Sequence, residues 1–387
     1  MTITNRPNKK TAGNTDFQLD DDIIYLNHAA VAPWPQRTLQ AVQAFAQDNA
    51  TLGSKHYLHW LETETRLHER LRALINAPSA DDIALLKNTS EALSVVAFGL
   101  DWKHGDNIVS SNEEFPSNRV VWEALARKGI SLRQADLRDA ETPEDALFSQ
   151  VDEHTRLITI SSVQYASGLQ LDLRRIGEFC RRHGILFCID AIQSLGAVQF
   201  DTQACHADFV MADGHKWMLG PEGLAVFYCR AELRERLELY QYGWHMTDTY
   251  VDFDRRDWQA ADSARRFECG SPNMLGIHAL EASLALLQEH GMEKIEKQVL
   301  ANARLLINAI DASPSLELLT DSSPSRYAGI VTFRHRNCDN DSLFRHLTEH
   351  GVMCAQRGGG IRFSPHYYTP SEKILQTVAL INDYKLG

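Results

Sequence analysis

Short apolar runs alternate with helical patterns along most of the chain, and this alternation restricts the fold more than any other sequence feature. Six runs of strand length follow residue 82, at residues 83–86, 108–110, 157–161, 185–190, 209–212 and 224–228. Between the third and fourth runs, one apolar stripe at helical spacing is formed by Leu173, Ile176, Phe179 and Cys180. It ends at Gly184, a residue that favours helix termination. The pattern predicts a mostly parallel sheet covered by helices on both faces.

The pattern changes near Pro272, where longer helical stretches begin. Helices are predicted at residues 275–287 and 295–310, and short strands around residues 330–334 and 361–364. The sequence therefore predicts three parts, which are an N-terminal arm at residues 1–20, a large α/β domain at 21–285 and a smaller C-terminal domain at 286–387.

Composition excludes several classes of protein. The 39 Lys and Arg residues against 51 Asp and Glu residues give a net charge of −12, which argues against a nucleic-acid partner. No run approaches the roughly 18 apolar residues of a membrane span, and no apolar stretch follows Lys9 and Lys10 as a secretory signal would require. Seven cysteines without a C-x-x-C pair favour a reducing, cytoplasmic location.

Lys216 is the first candidate functional residue. Ligands of such sheets bind beyond the carboxyl ends of the strands, and Lys216 stands in a turn directly after the run at 209–212. Apolar residues follow it, and desolvation lowers the pKa of a lysine and makes its amine nucleophilic. This favours a Schiff-base lysine over the alternative, a surface loop lysine.

Asp190 ends the apolar run at 185–190 and brings one carboxylate to the same edge of the sheet. A carboxylate there could hold a pyridine nitrogen protonated, as the cofactor pyridoxal phosphate requires. Gln193, three residues further on, could donate to the ring hydroxyl. The alternative for Asp190 is a helix N-cap.

Thr89 and Ser90 follow the run at 83–86 and open a helical pattern. Two hydroxyls beside the backbone amides of a helix start form an anion site suited to a phosphate ester. The alternative is that both residues are ordinary helix caps.

Six segments, in this order, resemble the class V aminotransferase family of fold-type I pyridoxal phosphate enzymes, which also holds cysteine desulfurases, kynureninases and isopenicillin N epimerase-like proteins. The likeness covers nearly the whole chain through Ile24-Tyr-Leu-Asn-His-Ala-Ala30, Asn88-Thr-Ser-Glu91, Asp190-Ala-Ile-Gln193, Asp213-Gly-His-Lys216, Phe267-Glu-Cys-Gly-Ser-Pro-Asn273 and Arg362-Phe-Ser-Pro-His366. It implies a mostly parallel seven-stranded sheet between helices, a smaller α+β C-terminal domain and pyridoxal 5'-phosphate as cofactor.

The resemblance also implies roles for single residues around the cofactor. Lys216 is implied to form the Schiff base, Asp190 to pair with the pyridinium and Gln193 to contact the ring oxygen. The residues implied to lie around the phosphate are Thr89, Ser90, Asp213 and His215.

Two further side chains are implied to reach the ring. Phe115 is similar to the aromatic residue that stacks on the cofactor in the kynureninase branch, where desulfurases commonly use a histidine. The alternative for Phe115 is a buried core residue. Gln164, after the run at 157–161, is expected at the ring face.

Arg362 matches the arginine that holds the substrate α-carboxylate in the family. A planar guanidinium meets two carboxylate oxygens at once, which lysine cannot do; a surface arginine is the alternative. Asn27 and His28 are candidate substrate-side groups. Ser271 matches a hydroxyl that reaches the cofactor phosphate of the neighbouring subunit, so the resemblance predicts a homodimer.

The cysteines depart from the desulfurase pattern. Desulfurases carry a nucleophilic cysteine on a mobile loop upstream of the carboxylate-binding arginine, whereas the corresponding segment, residues 352–360, is short here and Cys354 is predicted in a strand. A structural role is therefore expected for Cys354. No metal site is predicted, because the histidines at 346 and 350 lack an evident third ligand.

The sequence thus predicts a pyridoxal phosphate-dependent enzyme that acts at the α-carbon of a small amino acid, with aminotransferase as the leading hypothesis. A carbon–sulfur or β-elimination lyase (desulfurase) and a racemase or epimerase are the alternatives within the fold, since these reactions share their early chemistry. A catalytically silent binding protein is the alternative outside enzymes, and intact Lys216, Asp190 and Arg362 argue against it. Substrate choice is expected to depend on residues 240–262, where Trp244, His245 and Tyr250 are candidates to line the pocket.

Overall fold

The computed structural model describes residues 16–384, so residues 1–15 of the predicted N-terminal arm lie outside the described part. Its helices are α1 (Gln36–Leu52), α2 (Tyr57–Leu74), α3 (Thr89–Gly99), α4 (Ser117–Glu123), α5 (Pro143–Phe148), α6 (Leu173–His183), α7 (Met274–His290), α8 (Met292–Asp311), α9 (Asn340–Glu349) and α10 (Ser371–Asn382). Its strands are β1 (Ile24–Tyr25), β2 (Ile83–Leu86), β3 (Asn107–Ser111), β4 (Ser131–Ala135), β5 (Thr155–Ser161), β6 (Leu186–Asp190), β7 (Phe209–Asp213), β8 (Ala225–Cys229), β9 (Leu316–Leu318), β10 (Val331–His335), β11 (Val352–Met353), β12 (Ala355–Arg357) and β13 (Gly360–Phe363).

The central sheet has seven strands in the order β2-β8-β7-β6-β5-β3-β4. The strands β4, β3, β5, β6 and β7 pair in parallel, and only β8 runs antiparallel to its neighbours. Hydrophobic clusters lie on both faces of the sheet, where the helices pack. The predicted mostly parallel α/β architecture is confirmed.

The strands named from the sequence are present, and the stripe at residues 173–180 lies on α6, where Gly184 adopts the left-handed conformation at the C-cap. The edge strand β4 had no apolar signal, because its segment Ser-Leu-Arg-Gln-Ala is mostly exposed or half-buried. The predicted opening strand is short: β1 has two residues and pairs with β11, outside the central sheet.

The parallel strands place several chain positions at one edge of the sheet. Asp190 is the last residue of β6, and Asp213 is the last residue of the neighbouring strand β7. Ser161, which ends β5, stands opposite Asp190 in the register. The turns that follow these strands therefore converge, and Lys216 lies in one of them.

The C-terminal part has its own sheet and core. Its four strands are antiparallel in the order β12-β13-β10-β9, and α8, α9 and α10 contribute to a separate hydrophobic cluster. Ile24 and Leu26 from the other end of the chain are buried in this same cluster. The domain limits at residues 20 and 285 stay a prediction. Within residues 16–384, no helix is long and apolar enough to cross a membrane.

Candidate active site

Lys216 is buried just beyond the carboxyl end of β7, with 8% of its surface exposed. Burial lowers the pKa of its amine, and the positive charge of Arg362 lowers it further, while Asp190 opposes both effects. The Nζ atom lies 5.5 Å from the centroid of the Phe115 ring. The predicted surface-loop alternative for Lys216 is therefore wrong, and the amine lies under an aromatic ring as a nucleophilic lysine requires.

Asp190 is buried at the end of β6, and its Oδ1 accepts a hydrogen bond of 3.0 Å from the amide of Ile192. Burial raises the pKa of this carboxyl, Glu114 raises it as well, and the charge of Lys216 lowers it. A turn and not a helix follows Asp190, so the helix N-cap alternative is wrong. One carboxylate oxygen makes a local turn bond, and the second oxygen is left for a ligand.

Phe115 lies at the surface of the site rather than in the core. Its exposed fraction is 39%, and its ring packs edge-on against Tyr165 with 5.2 Å between centroids. The core-residue alternative for Phe115 is thus wrong. An exposed ring above a buried lysine is free to stack on a planar ligand.

The start of α3 lies against the end of β7. Asn88 caps the helix by accepting from the amide of Glu91, and the Thr89 hydroxyl accepts a 3.1 Å hydrogen bond from the amide of Asp213. Ser90 is exposed and donates to the Ser117 hydroxyl at 2.9 Å. Asn88 is the cap, so Thr89 and Ser90 stand in the first helical turn, where anions bind.

Asp213 and His215 flank the turn that carries Lys216. His215 Nδ1 lies 3.1 Å from Asp213 Oδ1, but the two atoms lack the alignment of a hydrogen bond and both are buried without a partner. Buried polar groups are normally satisfied, so both side chains are positioned for a ligand.

Gln164 and Glu114 form a buried network between the strand ends. The Gln164 amide donates to Glu114 at 2.7 Å, while its own Oε1 has no partner. Glu114 also accepts from the amide and hydroxyl of Ser161 and from the Asn118 amide. These bonds hold Gln164 in place and leave its oxygen for a ligand.

Glu114 was missed in the sequence. It stands in Glu114-Phe-Pro-Ser-Asn118, from which only Phe115 was singled out. A single glutamate in a short turn has no distinguishing sequence pattern, and its partners Ser161 and Gln164 are distant in the sequence. Only the parallel pairing of β3 and β5 brings them together.

Arg362 is almost fully buried in β13, so the surface-arginine alternative is wrong. Its Nη1 donates to the backbone oxygen of Tyr165 at 2.7 Å, and its Nε is buried without a partner. Burial and the nearby charge of Arg357 lower its pKa to about 10. The bond to Tyr165 fixes the guanidinium through Nη1, and the remaining N–H groups can bind a carboxylate.

Two predicted site residues, Gln193 and His28, already have protein hydrogen-bond partners. Gln193 donates to the oxygen of Ala29 at 3.1 Å and accepts from the Trp217 indole at 2.8 Å, so only one of its amide hydrogens is left for a ligand. His28 uses both ring nitrogens, at 2.8 Å from the oxygen of Ser364 and 2.7 Å from the hydroxyl of Tyr368.

Asn27 and Ser271 have different surroundings. Asn27 bridges to Ser364, and its side-chain oxygen is buried without a partner, as expected for a ligand-facing group. Ser271 is exposed just before α7, so it lies where a neighbouring subunit could approach.

The residues present fit pyridoxal phosphate. Five buried polar atoms without a partner belong to residues assigned from the sequence to cofactor or substrate: Asn27 Oδ1, Gln164 Oε1, Asp213 Oδ1, His215 Nδ1 and Arg362 Nε. Orphaned buried groups of this kind cost about 1–3 kcal/mol each unless a ligand satisfies them. Beside them stand a helix start suited to a phosphate and a buried amine.

Cysteines near the site are poorly placed for chemistry. Cys354 is buried, and burial raises its pKa to about 12. Cys269 is half-buried, with Sγ 3.3 Å from the side-chain oxygen of Gln241. The expected structural role of Cys354 agrees with its burial.

The seven-stranded α/β sheet and the lysine beyond its carboxyl edge define a fold-type I architecture. The family model described as aminotransferase class-V matches residues 24–376. The chain therefore belongs to the class-V aminotransferase family, as the sequence indicated.

Relatives with curated names are of similar length. A probable cysteine desulfurase of Methanothermobacter thermautotrophicus is 32% identical over 93% of this chain and 94% of its own. A probable cysteine desulfurase of Pyrococcus abyssi is 28% identical over 93% of both chains.

Solved structures share the fold. The apo cysteine desulfurase of Thermococcus onnurineus NA1 matches with a TM-score of 0.84 at 24% identity and covers 94% of both chains. The cystine C-S lyase C-DES, in complex with its reaction product cysteine persulfide, matches with a TM-score of 0.86 at 24% identity, over 94% of this chain and 98% of the other. At this identity the likeness supports the fold alone.

Proposed function

We propose that this protein is a pyridoxal phosphate-dependent lyase that cleaves the carbon–sulfur bond of cysteine or a cysteine-like amino acid. The observation that carries the proposal is the buried Lys216 amine, with its lowered pKa, beneath the Phe115 ring and beside Asp190. The curated relatives named cysteine desulfurase favour carbon–sulfur cleavage over transamination, the leading hypothesis from the sequence.

Residues on three sides of the site would hold the cofactor. Asp190 would pair with the ring nitrogen, and Phe115 and Gln164 would contact the ring. Thr89, Ser90, Asp213 and His215 would bind the phosphate. When bound, pyridoxal phosphate supplies an electron-withdrawing ring that stabilises negative charge at the substrate α-carbon.

The remaining chemistry falls to the residues of this chain. Arg362 binds the substrate carboxylate through the part of its guanidinium that Tyr165 does not use. This fixes the α-carbon, whose proton Lys216 Nζ accepts as a general base. The lowered pKa keeps a larger fraction of the amine unprotonated and ready for this transfer near neutral pH.

The burial of the cysteines indicates how the sulfur leaves the substrate. A persulfide mechanism needs a thiolate of lowered pKa that reaches the substrate sulfur. Cys354 is buried with a raised pKa, and Cys269 and Cys338 are half-buried. We therefore propose β-elimination, in which cysteine and water yield pyruvate, ammonium and hydrogen sulfide, and no thiol of this chain carries the sulfur.

We also propose that the protein forms a homodimer. Exposed apolar residues crowd the segment at 240–258, and Phe253 and Val251 have exposed fractions of 78% and 68%. Patches of this kind mark protein interfaces. The exposed Ser271 lies near this segment in sequence, and we propose that it reaches the cofactor phosphate of the partner subunit. A cytoplasmic location stays a prediction, based on the seven cysteines.

The test uses purified enzyme with bound cofactor. L-Cysteine is supplied with a reductant, and sulfide, pyruvate and alanine are measured. Pyruvate in step with sulfide supports the proposal. Alanine in step with sulfide indicates desulfuration through a persulfide, and transfer of the amino group to a panel of 2-oxo acids without sulfide release restores the aminotransferase hypothesis.

A further inference from the structure

Three buried ligand-type side chains meet away from Lys216. Glu64 lies on α2, His245 lies in the segment at 240–262, and Glu268 lies three residues before Ser271. Their relative exposures are 9%, 3% and 7%. Glu64 is distant in sequence from His245 and Glu268, so the three side chains come together only in the folded chain.

The geometry of the three groups is that of a coordination site. One ligand atom from each lies within 4.8 Å of the other two. Glu268 Oε1 accepts from the amide of Leu85 at 2.7 Å, which leaves Oε2 3.4 Å from His245 Nδ1. Ligand atoms around a tetrahedral metal lie roughly 3.3 Å apart, because metal–oxygen and metal–nitrogen bonds are about 2.0–2.2 Å long.

His245 is the second, independent sign of a ligand. Its Nδ1 is buried, has no hydrogen-bond partner and faces Glu268. A neutral imidazole nitrogen in this position offers a lone pair to a metal ion. His68, one turn after Glu64 on α2, places its Nε2 3.9 Å from Glu268 Oε1.

Arg265 lies beside the cluster, but its Nη1 donates to the backbone oxygens of His245 and Thr247. Among the described residues it forms no salt bridge with Glu64 or Glu268. A buried carboxylate is normally paired with a positive group or coordinates a metal ion.

We propose that Glu64, His245 and Glu268 bind one divalent transition-metal ion of the zinc class. Two carboxylates and an imidazole suit such an ion, since a hard ion such as Mg²⁺ or Ca²⁺ prefers oxygen ligands throughout. His68 lies beside these three ligands, with its Nε2 3.9 Å from Glu268 Oε1.

The position of the ion gives it a structural role. It joins α2 to the segment at 240–262 and to the turn that leads to Ser271. It therefore fixes the segment that we expect to shape the substrate pocket, and it takes no part in the chemistry at Lys216. The inference does not depend on which reaction the site performs.

The experiment measures metal binding directly. Enzyme with bound cofactor is treated with a chelator, equilibrated with buffered free Zn²⁺, and analysed for zinc per chain by mass spectrometry. Wild type is expected to hold one zinc per chain. The variants Glu64→Gln and His245→Gln are expected to bind zinc about tenfold more weakly or worse, since even removal of an outer-shell partner costs 10–100-fold.

Two matched controls locate the site. Glu69→Gln removes an exposed carboxylate from the same helix. His346→Gln removes a histidine near the end of α9 whose ring lies 4.3 Å from that of His350, centroid to centroid. Both controls should keep the zinc. Zn²⁺ should also raise the melting temperature of wild type and of Glu69→Gln but not that of Glu64→Gln.

Several results would overturn the inference. Wild type that holds no more zinc than Glu64→Gln indicates that the two carboxyls share a proton instead, and loss of zinc only in His346→Gln places the ion elsewhere. If the two ligand variants fail to fold, anomalous scattering from zinc-soaked wild-type crystals decides: a peak among the three side chains supports the site, and its absence at stoichiometric zinc overturns it.

Discussion

Lys216 and Phe115 lie in segments that follow different strands of the central sheet, β7 and β3, yet Lys216 Nζ lies 5.5 Å from the centroid of the Phe115 ring. The ring is exposed while the amine is buried, so a planar cofactor can enter between solvent and lysine. The two side chains therefore border the space in which we propose that the cofactor binds.

Lys216 is predicted to carry the cofactor. Borohydride reduction and peptide mapping should place the pyridoxyl group on Lys216. Lys216→Ala should lower turnover by at least ~10²–10⁴-fold, because it removes a general base as well as the attachment point. The exposed Lys103→Ala serves as control and should keep normal activity. A label on another lysine would exclude the assignment.

Arg362→Lys is predicted to weaken substrate binding although the charge is kept. Lysine cannot reproduce the planar fork, so the expected loss is about 1.5–3 kcal/mol, the scale of a hydrogen bond to a charged group. Steady-state kinetics with α-amino acids should show this mainly as a higher KM. Arg334→Lys, at an exposed position of β10, is the control. Unchanged kinetics would mean that the carboxylate binds elsewhere.

Ser271 is predicted to complete the cofactor site across a dimer interface. Dilution that separates the subunits should release the cofactor, and Ser271→Ala should release it at a higher protein concentration than the exposed control Ser149→Ala. Analytical ultracentrifugation combined with the cofactor absorbance measures both quantities. A monomer with full cofactor occupancy would contradict the prediction.

Glu144 and Arg326 are predicted to hold the large and C-terminal parts together. The carboxylate of Glu144 is fully buried and accepts two hydrogen bonds from Arg326, at 2.7 and 2.9 Å. Burial tends to raise the Glu144 pKa, but the bonds to Arg326 and to the Asp172 amide outweigh it and lower the pKa. Glu144→Gln should therefore cost about 3 kcal/mol of unfolding free energy near pH 7, the low end for breaking a buried pair.

The same ion pair gives a pH dependence. The folded-state pKa of Glu144 lies below its unfolded value, so its stabilisation is present above pH ~4.5 and is lost as pH falls through the folded pKa. Urea unfolding of wild type and Glu144→Gln should show a stability difference that shrinks below pH ~4.5. A difference that stays constant down to low pH would contradict this sign.

The sequence predicted the parts of the site that follow single strands. Asp190 and Lys216 each come directly after an apolar run, so the position of the run gives the position of the residue. The edge strand β4 was missed because its sequence is largely polar. The length of β1 was overestimated, since the strand has only two residues.

Groups whose partners lie far along the chain could not be predicted. Glu114 is recognisable only through its bonds to Ser161 and Gln164, and the cluster of Glu64, His245 and Glu268 exists only after α2 packs near β2. His28 was assigned to the substrate from the family resemblance, but the hydrogen bonds of its ring nitrogens to Ser364 and Tyr368 can be seen only in the folded chain.

The last prediction is that sulfide release does not depend on a cysteine of this chain. Cys354 would have to leave the cluster around β10 and β13, where burial raises its pKa to about 12, before it could attack sulfur as a thiolate. Cys269 precedes Ser271 in a short turn whose backbone packs against Gly243, which restricts its reach. L-Cysteine with a reductant should therefore yield sulfide at similar rates in wild type, Cys354→Ala and Cys269→Ala. The half-buried Cys338→Ala is the control for loss of a thiol as such. If Cys354→Ala or Cys269→Ala alone abolishes release while its cofactor absorbance stays normal, the sulfur passes through that thiol and the elimination proposal fails.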